Sequence, residues 1–159
     1  KAIADKFYQA IDWDLLGFFA ALFVVINVME HALVLELIGK GLAHVIGLGD
    51  TLGAGLIVVL AATASSVTDN IPLAAMLAKI LTAHPVIGSD PDSPFWWAVV
   101  FGANLGGNLT PIGSASTLVA VTIIHKYELN LSFAGFVKRA LPFAAVQILL
   151  AVAYIVLFV

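Results

Sequence analysis

Cysteine is absent from the 159 residues of the chain. That excludes a disulfide framework, a thiolate metal site and a cysteine nucleophile, and leaves the redox compartment open. Charge is scarce as well: Asp, Glu, Lys and Arg together make up 11% of the residues, where soluble domains carry about 25%. There is no basic run and the formal net charge is -3, so nucleic acid is not an expected partner. His31, His44, His84 and His125 form no pair with metal-ligand spacing and a third partner, so no bound metal and no cofactor are expected beyond a transported sodium ion or proton. What the chain does have is apolar surface. Hydrophobic residues make up 62% of it and the mean hydropathy is +1.07, which predicts an all-α, multi-pass membrane protein whose main partner is the lipid bilayer.

The apolar sequence divides into segments. Residues 13–30 predict a first span, near the lower end of the roughly 17–25 residues a crossing helix needs, with Trp13 as an interfacial anchor. In residues 32–47, Glu36, Lys40 and His44 recur at i, i+4 and i+8, one polar stripe on a helix lying along the membrane surface. Residues 52–66 and 72–83 predict two helices of roughly 22 and about 18 Å. Each is too short for a hydrocarbon core of about 30 Å, so together they suit a re-entrant hairpin. Residues 84–94, with three prolines, one glycine and two aspartates, predict a solvent loop without helix. Residues 95–105 and 114–127 read as the two arms of a discontinuous crossing segment, 126–139 as a polar and basic connection, and 142–159 as the last span. No internal repeat is evident. Residues 1–14 are polar and amphipathic without a small-residue cleavage site, which reads as no signal peptide and as a fragment or a chain trimmed at its front. Lys1, Lys6, Lys126, Lys138 and Arg139 fall on one side if the first helix and the second broken segment each cross once. Positive residues favour the cytoplasm, so the N-terminus is expected inside, the hairpin opening outward and the C-terminus outside.

Two polar breaks interrupt this apolar background: SSVTDNIP at residues 65–72 and GGNLTPIGSAS at 106–116. Lipid offers no partners to backbone polar groups, so a broken helix is tolerated only against protein or a wet cavity. Two breaks in one chain are the layout of a secondary-transporter binding site. In the first, Asp69 or Asn70 can cap the second arm. Capping alone does not require a carboxylate in lipid, which costs at least about 2.5–3.5 kcal/mol and by default marks an ion or proton path. Ser65, Ser66 and Thr68 add oxygens, or simply bond back to helix carbonyls. In the second break, Gly107 and Gly113 permit turning and close approach, Pro111 frees a carbonyl one turn earlier, and Asn104, Asn108, Thr110 and Ser114 supply neutral polar groups. Residues 113–116 open a helix N-terminus able to hold an anion. The competing reading gives these glycines a packing role only. Catalysis is not expected. The enzyme alternative, Ser114 or Ser116 as nucleophile with His125 as base, fails on reach, since eleven residues of helix separate Ser114 from His125 by about 16 Å.

These motifs resemble the C-terminal half of the ion transporter superfamily, within it the arsenite permease and sodium–proton antiporter group. The resemblance rests on DWDLLGFFAALFVV from Asp12, the two breaks, and SFAGFVKRALPFAAVQILLAVAYIVLF from Ser132, and covers nearly the whole chain in order. It implies one repeat of an inverted-repeat transporter, a single transport domain over 1–159 with an N-terminal repeat missing from view; otherwise a homodimer would complete the site. It assigns site roles to Ser66, Thr68, Asp69 and Asn70 and to Asn108, Thr110, Gly113 and Ser114. TPIGSAST looks more like arsenite and related anion permeases. Asp69 beside Asn70 looks more like the antiporters and the melanosomal P protein group, and departs from the paired asparagines of the arsenite pumps. Exchange of sodium for protons is the favoured expectation, followed by an arsenite or anion permease and a sodium-coupled carboxylate transporter.

Overall fold

The computed structural model describes residues 13–159, which divide after Leu35 into two compact units. The expectations for residues 1–12, including the opening amphipathic stretch and the positions of Lys1 and Lys6, lie outside the described residues. In the first unit, α1 runs Trp13–His31, with an apolar sequence from Leu15 to Ile26 and a polar end carrying Asn27, Glu30 and His31. Phe23, Val24, Val25 and Val28 are exposed on it, as expected of side chains solvated by lipid rather than by water. A short turn through Leu33, at φ 60°, precedes α2, Val34–Ile46.

The second unit is built of helices from α2 onward. The predicted stripe lies along α2: Glu36 and Lys40 form an exposed ion pair at 2.9 Å, and the His44 Nδ1 lies 2.7 Å from the Lys40 carbonyl. Next come α3, Asp50–Ser65, and α4, Asn70–Ala83, separated by the first break. α5, Pro94–Gly106, and α6, Ala115–Lys126, flank the second. The last helix, α7, is Phe133–Phe158.

Helix starts follow the polar residues. Asp69 caps α4 by accepting from the Ile71 N–H, Ser114 caps α6 through the Thr117 N–H and Ser132 caps α7 through the Gly135 N–H. Each satisfies a donor that a helix N-terminus leaves orphaned. α5 opens with proline in its first turn, where no N–H is missed.

Two expectations are corrected. Residues 84–94 are not wholly non-helical: Ile87–Ser89 forms a 3-10 turn. The stretch between Pro85 and Pro91 is long enough for one such turn, which the Ser89 hydroxyl closes onto the Val86 carbonyl at 2.9 Å and which buries Ile87. The last helix also begins at Phe133 rather than at residue 142, and Pro142 lies inside it. Proline removes one ladder bond, a loss that membrane helices tolerate, and the Ser132 cap starts the helix early. Among the described residues, α7 is the one unbent helix long and apolar enough by itself to cross a membrane, and only 17% of its apolar stretch is buried.

The core sits between α3, α5 and α7, with α4 laid on α5. The α3 contact face is small: Ala54, Ile57, Val58, Ala61 and Ala62 are buried. Opposite it stand Phe95, Ala98, Val99, Gly102, Ala103 and Gly106 of α5. Small residues let helix backbones approach where no hydrophobic effect drives helices together. A Cβ at Gly106 would fall 2.2 Å from the Ala62 carbonyl oxygen, and one at Gly102 would fall 2.7 Å from the Ala61 Cβ. By contrast α6 leaves Leu118, Val119 and Ile123 exposed.

Candidate functional site

Close packing of α3 on α5 brings the ends of both helices, and so both breaks, together. Two hydroxyl–carbonyl bonds join them. The buried Ser65 hydroxyl donates to the Ala103 carbonyl of α5, and the buried Thr110 hydroxyl donates back to the Ser66 carbonyl. Gly113 completes the contact: a Cβ there would lie 3.0 Å from the Ser65 carbonyl oxygen and 2.8 Å from that of Gly107. A second link runs between side chains, from the Asn70 Nδ2 to the Asn104 Oδ1 at 3.3 Å, while the Asn104 amide also donates to the Val100 carbonyl at 2.8 Å.

The glycines of the second break divide between the two readings of them. Gly102 and Gly106 serve helix packing, whereas Gly107 and Gly113 pinch the ends of the break together. Their use is close approach rather than unusual backbone angles. Gly107 has a right-handed helical φ of -59°, and among the described residues the one glycine at positive φ is Gly49.

Side chains predicted as site residues fall into three groups. Ser66 and Thr68 bond back to the carbonyls of Thr63 and Ala64, at 2.7 and 2.8 Å, the back-bonding alternative raised for them. Asp69 is half-buried and commits its Oδ1 to the Ile71 N–H at 3.0 Å; its Oδ2 has no partner among the described residues. In the second break, the Asn108 side chain and the carbonyls of Gly107, Asn108 and Leu109 likewise accept nothing from the described residues. These are the acceptors that the missing N–H of Pro111 and the end of α5 leave open.

At the start of α6 a hydroxyl cluster surrounds the cap. The Ser114 Oγ is 2.9 Å from the Ser116 Oγ and 3.0 Å from the Thr117 Oγ1, and Thr117 donates to the Ser114 carbonyl at 2.8 Å. Thr117 was not singled out from the sequence. The available signal was its position three residues after the cap, which places it over Ser114 on the first turn. Ser116 and His125 lie toward opposite ends of α6, where the His125 Nε2 sits 3.0 Å from the Leu131 carbonyl. No group of His, Asp and Glu able to hold a metal occurs among the described residues.

The arrangement therefore offers one carboxylate and several carbonyl and amide oxygens near the two break ends, with hydroxyls and a helix N-terminus on the α6 side. Oxygen ligands of this kind suit a hard monovalent cation or a proton, and a capped N-terminus suits an anion.

Comparison with known proteins gives a consistent picture. The family model described as citrate transporter matches residues 1–102, through the first break and most of α5. An uncharacterized transporter of Mycobacterium tuberculosis is 30% identical over 153 residues, covering 95% of this chain and 36% of its own length. An uncharacterized transporter of Synechocystis is 32% identical, covering 91% of this chain and 36% of its own length. The human P protein is 33% identical, covering 91% of this chain and 18% of its own. The chain thus spans about a third or less of the curated relatives it matches. No solved structure matches it.

Proposed function

Since this chain belongs to the citrate transporter family, we propose that it carries the ion site of a secondary active transporter that couples a small carboxylate anion to a monovalent cation. The observation that carries this reading is the division of chemistry at the two breaks. Asp69 keeps one carboxylate oxygen uncommitted on the first break, and the second break, tied to it by the bond from Thr110 to the Ser66 carbonyl, keeps open backbone carbonyls, which supports a coupling sodium ion or proton there. The Ser114, Ser116 and Thr117 hydroxyls at the N-terminus of α6 support the anion. Ser66, Thr68, Asn70, Asn104, Gly107, Asn108, Thr110 and Gly113 shape the junction. Alternating access then follows from movement of this body against the rest of a longer transporter, with the Lys126–Arg139 end facing the cytoplasm.

A second reading, exchange of sodium for protons without a carried anion, is favoured by Asp69 being the one carboxylate in either break. An arsenite permease uses the same architecture with the anion as sole cargo. Flux into everted vesicles containing the protein separates the three: citrate uptake driven by a sodium or proton gradient supports the first, gradient-driven sodium–proton exchange without citrate the second, and arsenite flux the third. In each cation-coupled case Asp69→Asn is expected to abolish coupled flux, while α4 keeps a capping side chain and the protein still inserts. Normal proton-coupled flux in that variant would remove Asp69 from the site.

A further inference from the structure

Away from the two breaks, the loop after α6 and the first turns of α7 form an open groove of about 330 Å³ lined by Leu131, Phe136, Arg139, Ala140 and Phe143. Its walls are apolar except for one guanidinium. Arg139 donates to the Gly135 carbonyl at 3.1 Å, which uses one of its five N–H donors, and it pairs with no carboxylate among the described residues. The surroundings are positive. Residues 126–139 carry Lys126, Lys138 and Arg139 against Glu128 alone, in a chain whose net charge is -3. His125 adjoins the rim through its contact with the Leu131 carbonyl.

Depth fixes what this groove meets. α7 has 26 residues, about 39 Å, roughly 9 Å more than the hydrocarbon core. Lys138 and Arg139 lie in its first two turns whereas residues 141–158 carry no charge, so the head of the helix is the part that emerges at the headgroups. Exposed Tyr127 and Phe133 flank them, aromatic side chains of the kind that settle at the membrane–water boundary. The groove therefore has its cation at headgroup level and its Phe143 end at acyl level. A planar guanidinium with unused donors matches phosphate in two-pronged fashion, and basic pockets at this depth hold acidic headgroups.

We infer that the head of α7 is a seat for an anionic phospholipid, its phosphate held by Arg139 and its acyl chain laid along Leu131, Phe136 and Phe143. The inference rests on α7 crossing the membrane and is independent of what Asp69 binds.

The test uses the protein in nanodiscs of phosphatidylcholine with graded phosphatidylglycerol, reading retained lipid by native mass spectrometry. The wild type is expected to retain phosphatidylglycerol over phosphatidylcholine. Arg139→Gln should lower that preference about fivefold, the worth of one cation near an anionic surface, and Arg139→Lys should keep most of it. Phe136→Ala should weaken retention of both lipids. Equal retention by the wild type, or a preference that Arg139→Gln leaves unchanged, overturns the proposal. So does displacement of the lipid by millimolar glycerol phosphate, which would make this a soluble phosphate site. Should Arg139→Gln fail to fold, a phosphatidylglycerol with a photoactivatable acyl chain decides on the wild type: adducts within residues 131–143 support the seat, and adducts confined elsewhere reject it.

Discussion

At the scale of single residues, the junction of the breaks depends on two hydroxyls. Ser65 donates to the Ala103 carbonyl of α5 and Thr110 to the Ser66 carbonyl of the first break, and interhelical bonds of this kind contribute about 0.6 kcal/mol, reaching about 1.7. Ser65→Ala and Thr110→Val are each expected to destabilise the protein by about 1 kcal/mol in detergent titrations followed by circular dichroism. Thr110→Ser should restore the loss, because the hydroxyl and not the methyl makes the bond; a Thr110→Ser variant as weak as Thr110→Val would assign the residue to packing instead. Asp69 is the contrasting case. Its cap is replaceable by asparagine while its charge is not, so stability and coupled flux should separate in Asp69→Asn.

At the scale of elements, the α3–α5 contact is set by absent side chains. Gly106→Ala would drive a methyl group onto the Ala62 backbone, with 2.2 Å to its oxygen and 2.5 Å to its Cα. Backbone cannot rotate away as a side chain can, so a loss of about 1–3 kcal/mol is expected. Gly41→Ala in α2, with nothing within 4 Å of the new methyl, should instead be neutral or stabilising by up to about 1 kcal/mol. Thermal melting of the detergent-solubilised variants checks both signs. The same elements show what a sequence can and cannot disclose. The breaks are legible because serine, asparagine, proline and glycine stand out against an apolar background, and helix starts are legible where Asp69 and Ser114 cap them. α7 is misread at its head because Lys138, Arg139 and Pro142 look like a connection; a helix longer than the membrane is thick can carry charge on the part that emerges. The fit of Gly106 to Ala62 is invisible too, since nothing along the chain marks two residues 44 apart as neighbours in space.

At the scale of the whole molecule, the second broken segment is expected to carry the chain across the membrane. α5 and α6, with 13 and 12 residues, give about 38 Å of helix between them, enough to take the chain from one surface to the other. A chain without cysteine is a clean background for testing this. Ser89→Cys and Glu128→Cys are expected to react with a membrane-impermeant thiol reagent from opposite sides, the first in intact cells and the second in everted vesicles. Labelling of both from one side would make α5 and α6 a re-entrant pair. The apolar faces of α6 and α7 agree with a body that meets lipid, or further protein, over much of its surface.

The bond from Thr110 to the Ser66 carbonyl, 44 residues back along the chain, also has a meaning in time. A ribosome adding about 5–20 residues per second needs roughly 2–9 s to make that stretch. Until the second break is made, the Ser66 carbonyl lacks the Thr110 hydroxyl that satisfies it, and lipid will not supply a substitute. The junction of the two breaks is therefore completed late in synthesis, only once both halves of that bond exist.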